Sequence, residues 1–156
     1  MNNLHALGYQ VSSESGRAII QAQLRANIKL APLAFAEQML EKDLHNYKTS
    51  PQNSVVVFDR GIPDTLGYLM SVGEQIPKHI KRVAREHLYN QTVFVAPFWP
   101  EIYEMDAERK QTLEEARETY EIMREVYVQL GYSTLLLPKV AVNERVDFVR
   151  NYIKNF

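Results

Sequence analysis

The chain of 156 residues is long enough for one domain, and a hydrophobic content of 46% is typical of a protein that buries a core. Eighteen basic and nineteen acidic residues give a net charge of -1, which excludes a general attraction to nucleic acid or to an anionic membrane. The sequence has no cysteine, no signal peptide and no apolar run of about 20 residues, which predicts a cytoplasmic protein without disulfides or membrane spans.

Four short apolar runs predict β-strands at residues 9–13, 54–58, 92–96 and 134–137. The run at 54–58 is continuously apolar, which predicts an interior parallel strand covered on both faces. Helical periodicity fills the intervals, notably from Pro32 toward Pro51, from Thr112 to Leu130 and from residue 142 to the C-terminus, with Gly131 as a left-handed helix stop. The alternation predicts a single α/β domain over residues 1–156 with a parallel sheet.

Charged residues follow three of the four predicted strands, at the strand ends where parallel sheets bind ligands. Asp59 could hold a Mg²⁺-bound water or accept a proton from an attacking hydroxyl. Arg60 could pair with a phosphate or a carboxylate. The alternative is structural: Asp59 caps the helix that begins near Pro63 and Asp64, and Arg60 is a surface ion-pair partner. The spacing favours neither interpretation.

Glu14 and Arg17 flank Gly16 where the first predicted strand turns into a helix, and such a pair can hold a polar substrate. The alternative is helix capping, with Ser13 or Ser15 as the N-cap, Glu14 near the positive end of the helix and Arg17 in solvent. Capping is the commoner role of these residue types at such a position.

Residues 98–111 are predicted to form a lid, because an aromatic and proline-rich connection leads into a charge-dense segment. Arg109 in this segment could close over a transferring phosphoryl group and stabilise its charge once water is excluded. The alternative is a solvated helix start with intrahelical ion pairs.

Four segments resemble a family of predicted bacterial AAA-type ATPases of the P-loop kinase-like class, which is related to the ribosylnicotinamide kinase domain. In chain order they are E-S-G-R-A-I-I at 14–20, V-F-D-R-G-I-P-D-T-L-G-Y at 57–68, P-F-W-P-E-I-Y-E-M-D-A-E-R-K-Q at 97–111 and L-P-K-V-A-V-N-E-R-V-D-F at 137–148. The resemblance implies a three-layer P-loop NTPase fold of the nucleotide-kinase type.

The resemblance also implies roles for single residues. Asp59 would contact the metal or the acceptor hydroxyl, while Arg60 and Arg17 would line the acceptor site. Arg109 would be the lid arginine that faces the phosphates.

The cofactor that the resemblance implies is Mg²⁺ with ATP, and the partners are a nucleotide and an unidentified small-molecule acceptor. Pro138 and Lys139 would lie in the loop that passes the adenine ring. No nucleic-acid or membrane partner is expected.

One departure from the family bears directly on activity. In the family, a strand and a G-x-x-x-x-G-K-[ST] loop precede the helix that corresponds to residues 2–7, and this sequence contains no such motif. The loop supplies the backbone N–H cradle, a phosphate-binding lysine and a hydroxyl for Mg²⁺. The resemblance therefore implies a small-molecule kinase or ATPase in complete form that is inactive or impaired as this chain. The alternative is a non-catalytic nucleotide-binding or regulatory module on a kinase-like scaffold.

The strand that is missing by analogy is the central one of five, between the predicted strands that end at Phe58 and Ala96. We therefore expect a sheet of four parallel strands, closed by local rearrangement or by a partner. Unpaired inner edges would invite homo-oligomerisation.

Overall fold

The computed structural model of the chain describes residues 1–102 and 112–154. Within these ranges short strands alternate with helices, as the sequence predicts. The elements in chain order are α1 Asn2–Ala6, β1 Gln10–Ser12, α2 Ser15–Ala26, α3 Pro32–Thr49, β2 Val56–Phe58, α4 Ile62–Ser71, α5 Lys78–Glu86, β3 Thr92–Val95, a 3-10 turn at Pro100–Ile102, α6 Leu113–Gln129, β4 Ser133–Leu136 and α7 Val142–Ile153. No helix of the described ranges is long and apolar enough to cross a membrane.

The four strands form two parallel pairs. Strand β1 pairs with β2, with Gln10 opposite Val56, and strand β3 pairs with β4, with Thr92 opposite Ser133. No backbone ladder joins β2 to β3 within the described chain. The expected four parallel strands are therefore present, but within the described residues they do not form the expected single sheet.

The prediction of an interior strand at 54–58 is wrong for the described chain. Strand β2 has one partner strand, and its three residues are only half-buried. A continuously apolar strand is fully covered only when it has a neighbour at each edge and helices on both faces.

Two helices cover residues from both strand pairs. Leu4 of α1 and Val149 and Ile153 of α7 form a buried cluster, and Val57 of β2 and Phe94 of β3 pack against it. Burial of an aliphatic side chain of this size contributes roughly 1.5–3 kcal/mol. Helices α1 and α7 therefore pack against both strand pairs, although no backbone ladder connects the two pairs within the described chain.

A second cluster of buried residues lies among helices α3 to α6. Its members are Ala36, Leu40, Ile62, Leu66, Leu69, Ile80, Ala84 and Val126. Gly67 of α4 faces Met123 of α6 in this region, and a Cβ at Gly67 would lie 2.9 Å from the Met123 methyl carbon. The missing side chain therefore permits the close approach of α4 and α6.

Local signals explain the ends of the long helices. Pro32 lies in the first turn of α3, where no intrahelical N–H donor is needed. Thr112 caps α6: its hydroxyl accepts from the Glu115 N–H at 3.2 Å, and the Glu115 carboxylate accepts from the Thr112 N–H at 2.6 Å. Gly131 follows α6 with a φ of 90°, which confirms the predicted left-handed stop.

Candidate functional site at the ends of strands β1 and β2

The carboxyl ends of β1 and β2 lie side by side. The Asp59 N–H continues the ladder beyond β2 by donating to the Ser12 carbonyl at 2.8 Å. Glu14 follows β1 by two residues and Asp59 follows β2 directly, so parallel pairing brings the two predicted ligand-binding junctions together.

Helix capping does not account for the β1–α2 junction. The N-cap of α2 is Glu14, and its side chain makes no capping hydrogen bond, so neither Ser13 nor Ser15 is the N-cap. The Ser15 hydroxyl instead donates to the Oδ1 atom of Asp43 on α3 at 2.5 Å. Arg17 lies exposed in the first turn of α2. The Glu14 carboxylate therefore does not cap α2.

Asp43 is a buried carboxylate beneath this junction, and sequence reasoning missed it. The residue is 5% exposed, and Oδ2 has no hydrogen-bond partner among the described residues. Burial raises the pKa of Asp43 to about 6, the Ser15 hydrogen bond opposes this shift, and the negative charges of Asp64 and Glu14 add to it. The sequence contains an indication that Asp43 is buried, because Asp43 lies on the same helical stripe as the buried residues Ala36 and Leu40.

The β2–α4 turn is built around a second buried carboxylate, Asp64. Gly61 is the N-cap of α4, and its N–H donates to Asp64 Oδ2 at 2.9 Å. The capping role suggested for Asp59 therefore belongs to Asp64. The Asp59 side chain is partly exposed and accepts no hydrogen bond from residues 1–102 or 112–154.

Arg60 is the ion-pair partner that the structural alternative anticipated. Its Nη1 atom donates to Asp64 Oδ1 at 3.1 Å, and 44% of its side chain remains exposed. Arg60 has a φ of 77°, which is rare for a residue with a side chain and costs about 1–3 kcal/mol. The charge of Asp64 raises the pKa of Arg60 and outweighs the opposing effect of burial, so the guanidinium stays protonated.

Two tyrosines hold this turn in place. Tyr127 of α6 donates its hydroxyl to Asp64 Oδ2 at 2.6 Å, and the Ile62 N–H donates to the Tyr89 hydroxyl at 3.2 Å. Burial and then the charge of Asp64 raise the pKa of Tyr127 well above its ordinary value, so this hydroxyl keeps its proton and remains a donor. Tyr89 also explains Gly61, because a Cβ there would lie 2.9 Å from the tyrosine ring.

The charges of the two junctions act on one another. After Asp64 and burial, the negative charge of Glu14 is the next influence on the pKa of Arg60, and Glu14 also contributes to the raised pKa of Asp43. Glu14, Arg60 and Asp43 therefore belong to one electrostatic site at the ends of β1 and β2. An arginine between carboxylates, with polar groups open to solvent, suits a ligand that carries both an anionic group and hydroxyls.

A family model described as AAA domain matches residues 1–145. The chain belongs to this AAA domain family. Membership implies a P-loop NTPase fold and a nucleotide-binding function, and such proteins typically use Mg²⁺ with ATP. A search of curated proteins found no significant match.

Pro138 and Lys139 are not joined to the site by any contact among the described residues of this AAA domain. Pro138 and Lys139 follow β4, which belongs to the other strand pair, and Lys139 is exposed. Arg109 and residues 103–111 of the predicted lid lie outside the described residues. Two surface depressions lie on the outer faces of α6 and α5, and neither contains a predicted site residue.

Carboxylates that Mg²⁺ could use are present at the site, whereas a sequence motif for the phosphates of ATP is not. Mg²⁺ in nucleotide sites is commonly held by one or two carboxylates together with phosphate oxygens and water, and Asp59 and Glu14 supply carboxylates at adjoining strand ends. No group of three or more histidine, aspartate or glutamate side chains that could hold a metal occurs within residues 1–102 and 112–154. The sequence contains no G-x-x-x-x-G-K-[ST] loop, so the phosphate cradle is not supplied by these residues.

Proposed function

We propose that this protein belongs to the P-loop kinase-like class related to ribosylnicotinamide kinase domains, and that, in a form complete with the phosphate-binding loop, it binds ATP and acts as a small-molecule kinase or ATPase. The observation that carries the proposal is the meeting of Glu14, Asp59 and Arg60 at the adjoining ends of β1 and β2 in a member of the AAA domain family. The three-layer arrangement of that class is part of the proposal, and the helices that cover both strand pairs support it.

The site residues suit the acceptor side of a phosphoryl transfer. Asp59 has a partly exposed carboxylate that is not used by the helix cap, so it can accept the proton of an acceptor hydroxyl. Glu14 can accept hydrogen bonds from further hydroxyls, and Arg60 can bind an anionic group of the acceptor. These roles fit a small polar acceptor molecule, and none of them requires nucleic acid or a membrane.

The missing cradle limits what this chain does alone. Backbone N–H groups, a lysine and a hydroxyl normally hold the β- and γ-phosphates and Mg²⁺. Without them, we expect the chain to be inactive or impaired and to bind Mg-ATP with a dissociation constant weaker than about 1 mM, which corresponds to some 4 kcal/mol.

Isothermal titration calorimetry with Mg-ATP tests this proposal. The chain is compared with a version extended before Met1 by a strand and a G-x-x-x-x-G-K-[ST] loop. The matched control carries the same extension with the loop lysine replaced by alanine. We expect binding tighter than about 1 mM only for the intact extension. Equal binding by all three chains, or none by the extended chain, would contradict the proposal.

A substitution at Asp59 tests the role of this residue in catalysis. Asp59→Ala in the extended chain is expected to abolish ATP turnover while the far-UV circular dichroism spectrum stays unchanged, because the Asp59 side chain makes no described structural hydrogen bond. Nucleotide binding without turnover in the extended chain itself would favour the regulatory module over the enzyme.

A further inference from the structure

The Arg60 turn is held in an unusual conformation by Asp64 and Tyr127, to which the family resemblance assigns no role. Arg60 has a left-handed backbone, although it is neither glycine nor asparagine. Such a conformation persists only where surrounding contacts determine it, and it is commonest at functional sites. The contacts that determine it here come from Asp64 in the first turn of α4 and from Tyr127 on α6.

Asp64 is occupied by three donors. Oδ1 accepts from Arg60 Nη1 at 3.1 Å, while Oδ2 accepts from the Gly61 N–H at 2.9 Å and from the Tyr127 hydroxyl at 2.6 Å. The residue is 3% exposed, so its carboxylate is shielded from water. A carboxylate held in this way has a fixed direction, and the guanidinium that it binds is oriented with it.

The Arg60 guanidinium keeps unused hydrogen-bonding capacity toward the described residues. A guanidinium carries five N–H donors, and among the described residues only Nη1 is engaged, by Asp64. The Arg60 side chain is 44% exposed, so a ligand can reach it from solvent. Two parallel N–H groups of a guanidinium match two oxygens of a phosphate or a carboxylate, which a lysine cannot reproduce.

We propose that Asp64 and Tyr127 are positioning residues that present Arg60 as the binding group for an oxyanion, phosphate or carboxylate, of the acceptor molecule. This inference rests on the proposed function, because it assigns the acceptor side of the same site. Tyr127 acts through Asp64, and Asp64 acts through Arg60. The acceptor is then an anionic small molecule, whose hydroxyls are left to Asp59 and Glu14.

The test is a nuclear magnetic resonance titration of the full chain with inorganic phosphate and, separately, with acetate. The signal followed is the Nε–Hε resonance of Arg60, assigned by its loss in Arg60→Lys. We expect a saturable shift with at least one anion, and the stronger response identifies a phosphoryl or a carboxyl group on the acceptor. Tyr127→Phe keeps the ring but removes the donor to Asp64, and it should weaken the apparent affinity about five- to tenfold.

Two controls separate positioning from general loss of stability. Tyr47→Phe removes a tyrosine hydroxyl that donates to the Leu88 carbonyl at 2.9 Å and should leave the affinity unchanged. Ser71→Ala removes a hydroxyl at the C-terminal end of α4 that donates to the Tyr68 carbonyl at 2.8 Å, about two turns from Asp64, and it should also leave the affinity unchanged.

The failure of this inference differs from failure of the proposed function. An Arg60 signal that responds to neither anion, or a Tyr127→Phe chain that binds as well as the wild type, overturns the positioning role even if the extended chain binds Mg-ATP. An Arg60 signal that responds as expected, in a protein whose extended form fails to bind Mg-ATP, overturns the nucleotide function alone.

Discussion

Replacing Asp43 by asparagine is expected to change how the stability of the fold depends on pH. Burial raises the pKa of Asp43 in the folded chain to about 6 from an ordinary value of 3.8. Between these values the folded chain holds a proton that the unfolded chain has released. The stabilising contribution of Asp43 is therefore fully present below pH 3.8 and is lost as the pH rises through about 6.

The size of the effect follows from the shift. A difference of about two pKa units corresponds to roughly 3 kcal/mol at most, since each unit is worth about 1.4 kcal/mol. Asparagine does not titrate and retains a carbonyl oxygen to accept the Ser15 hydroxyl. The free energy of unfolding of Asp43→Asn relative to wild type should therefore rise by about 2–3 kcal/mol between pH 4 and pH 7.

Urea unfolding of both chains at pH 4, 5, 6 and 7 measures this difference. Glu41→Gln, a carboxyl-to-amide change on the exposed face of the same helix, controls for the loss of one negative charge from α3. Ser15→Ala provides a second test. The Ser15 hydrogen bond lowers the pKa of Asp43, so without it the loss of stability caused by ionisation of Asp43 should extend to higher pH. A difference between Asp43→Asn and wild type that is the same at pH 4 and pH 7 would refute the reasoning.

Two glycine substitutions test the packing around the site by urea unfolding. Gly61→Ala would place a Cβ 2.9 Å from the rigid Tyr89 ring, so it should destabilise the fold by about 1–3 kcal/mol, and the cost should fall in a Tyr89→Ala background. Gly67→Ala meets the flexible Met123 side chain, so its cost should be smaller and should become a gain of up to about 1 kcal/mol in a Met123→Ala background. Equal costs with and without the facing side chain would contradict the proposed contacts.

Much of the secondary structure followed from local signals. The apolar runs located all four strands within two residues of their observed ends, and Pro32, Thr112 and Gly131 marked helix ends that the structure contains. These features depend on backbone propensity and capping, which act between residues that are close in sequence. Chain order of strands and helices was sufficient to predict an α/β class.

The sequence also located the β1 and β2 junctions, but not how their side chains are used. The capping alternative for Glu14 and Asp59 depended on residue type. In the structure, the Asp64 carboxylate caps α4, and the Ser15 hydroxyl donates to Asp43. Such choices are decided by partners that are distant in sequence. Asp43 lies 28 residues from Ser15.

Tertiary packing alone decided the pairing of the strands and the form of the site. The sequence of β2 is equally compatible with one or two neighbouring strands, whereas the fold leaves it paired only with β1 in the described chain. Tyr127 reaches Asp64 across 63 residues because α6 packs against α4, and no local pattern encodes that contact. What the sequence determined by itself is therefore the set of charged groups at the strand ends, while their ionisation and orientation depend on burial that only the folded chain creates.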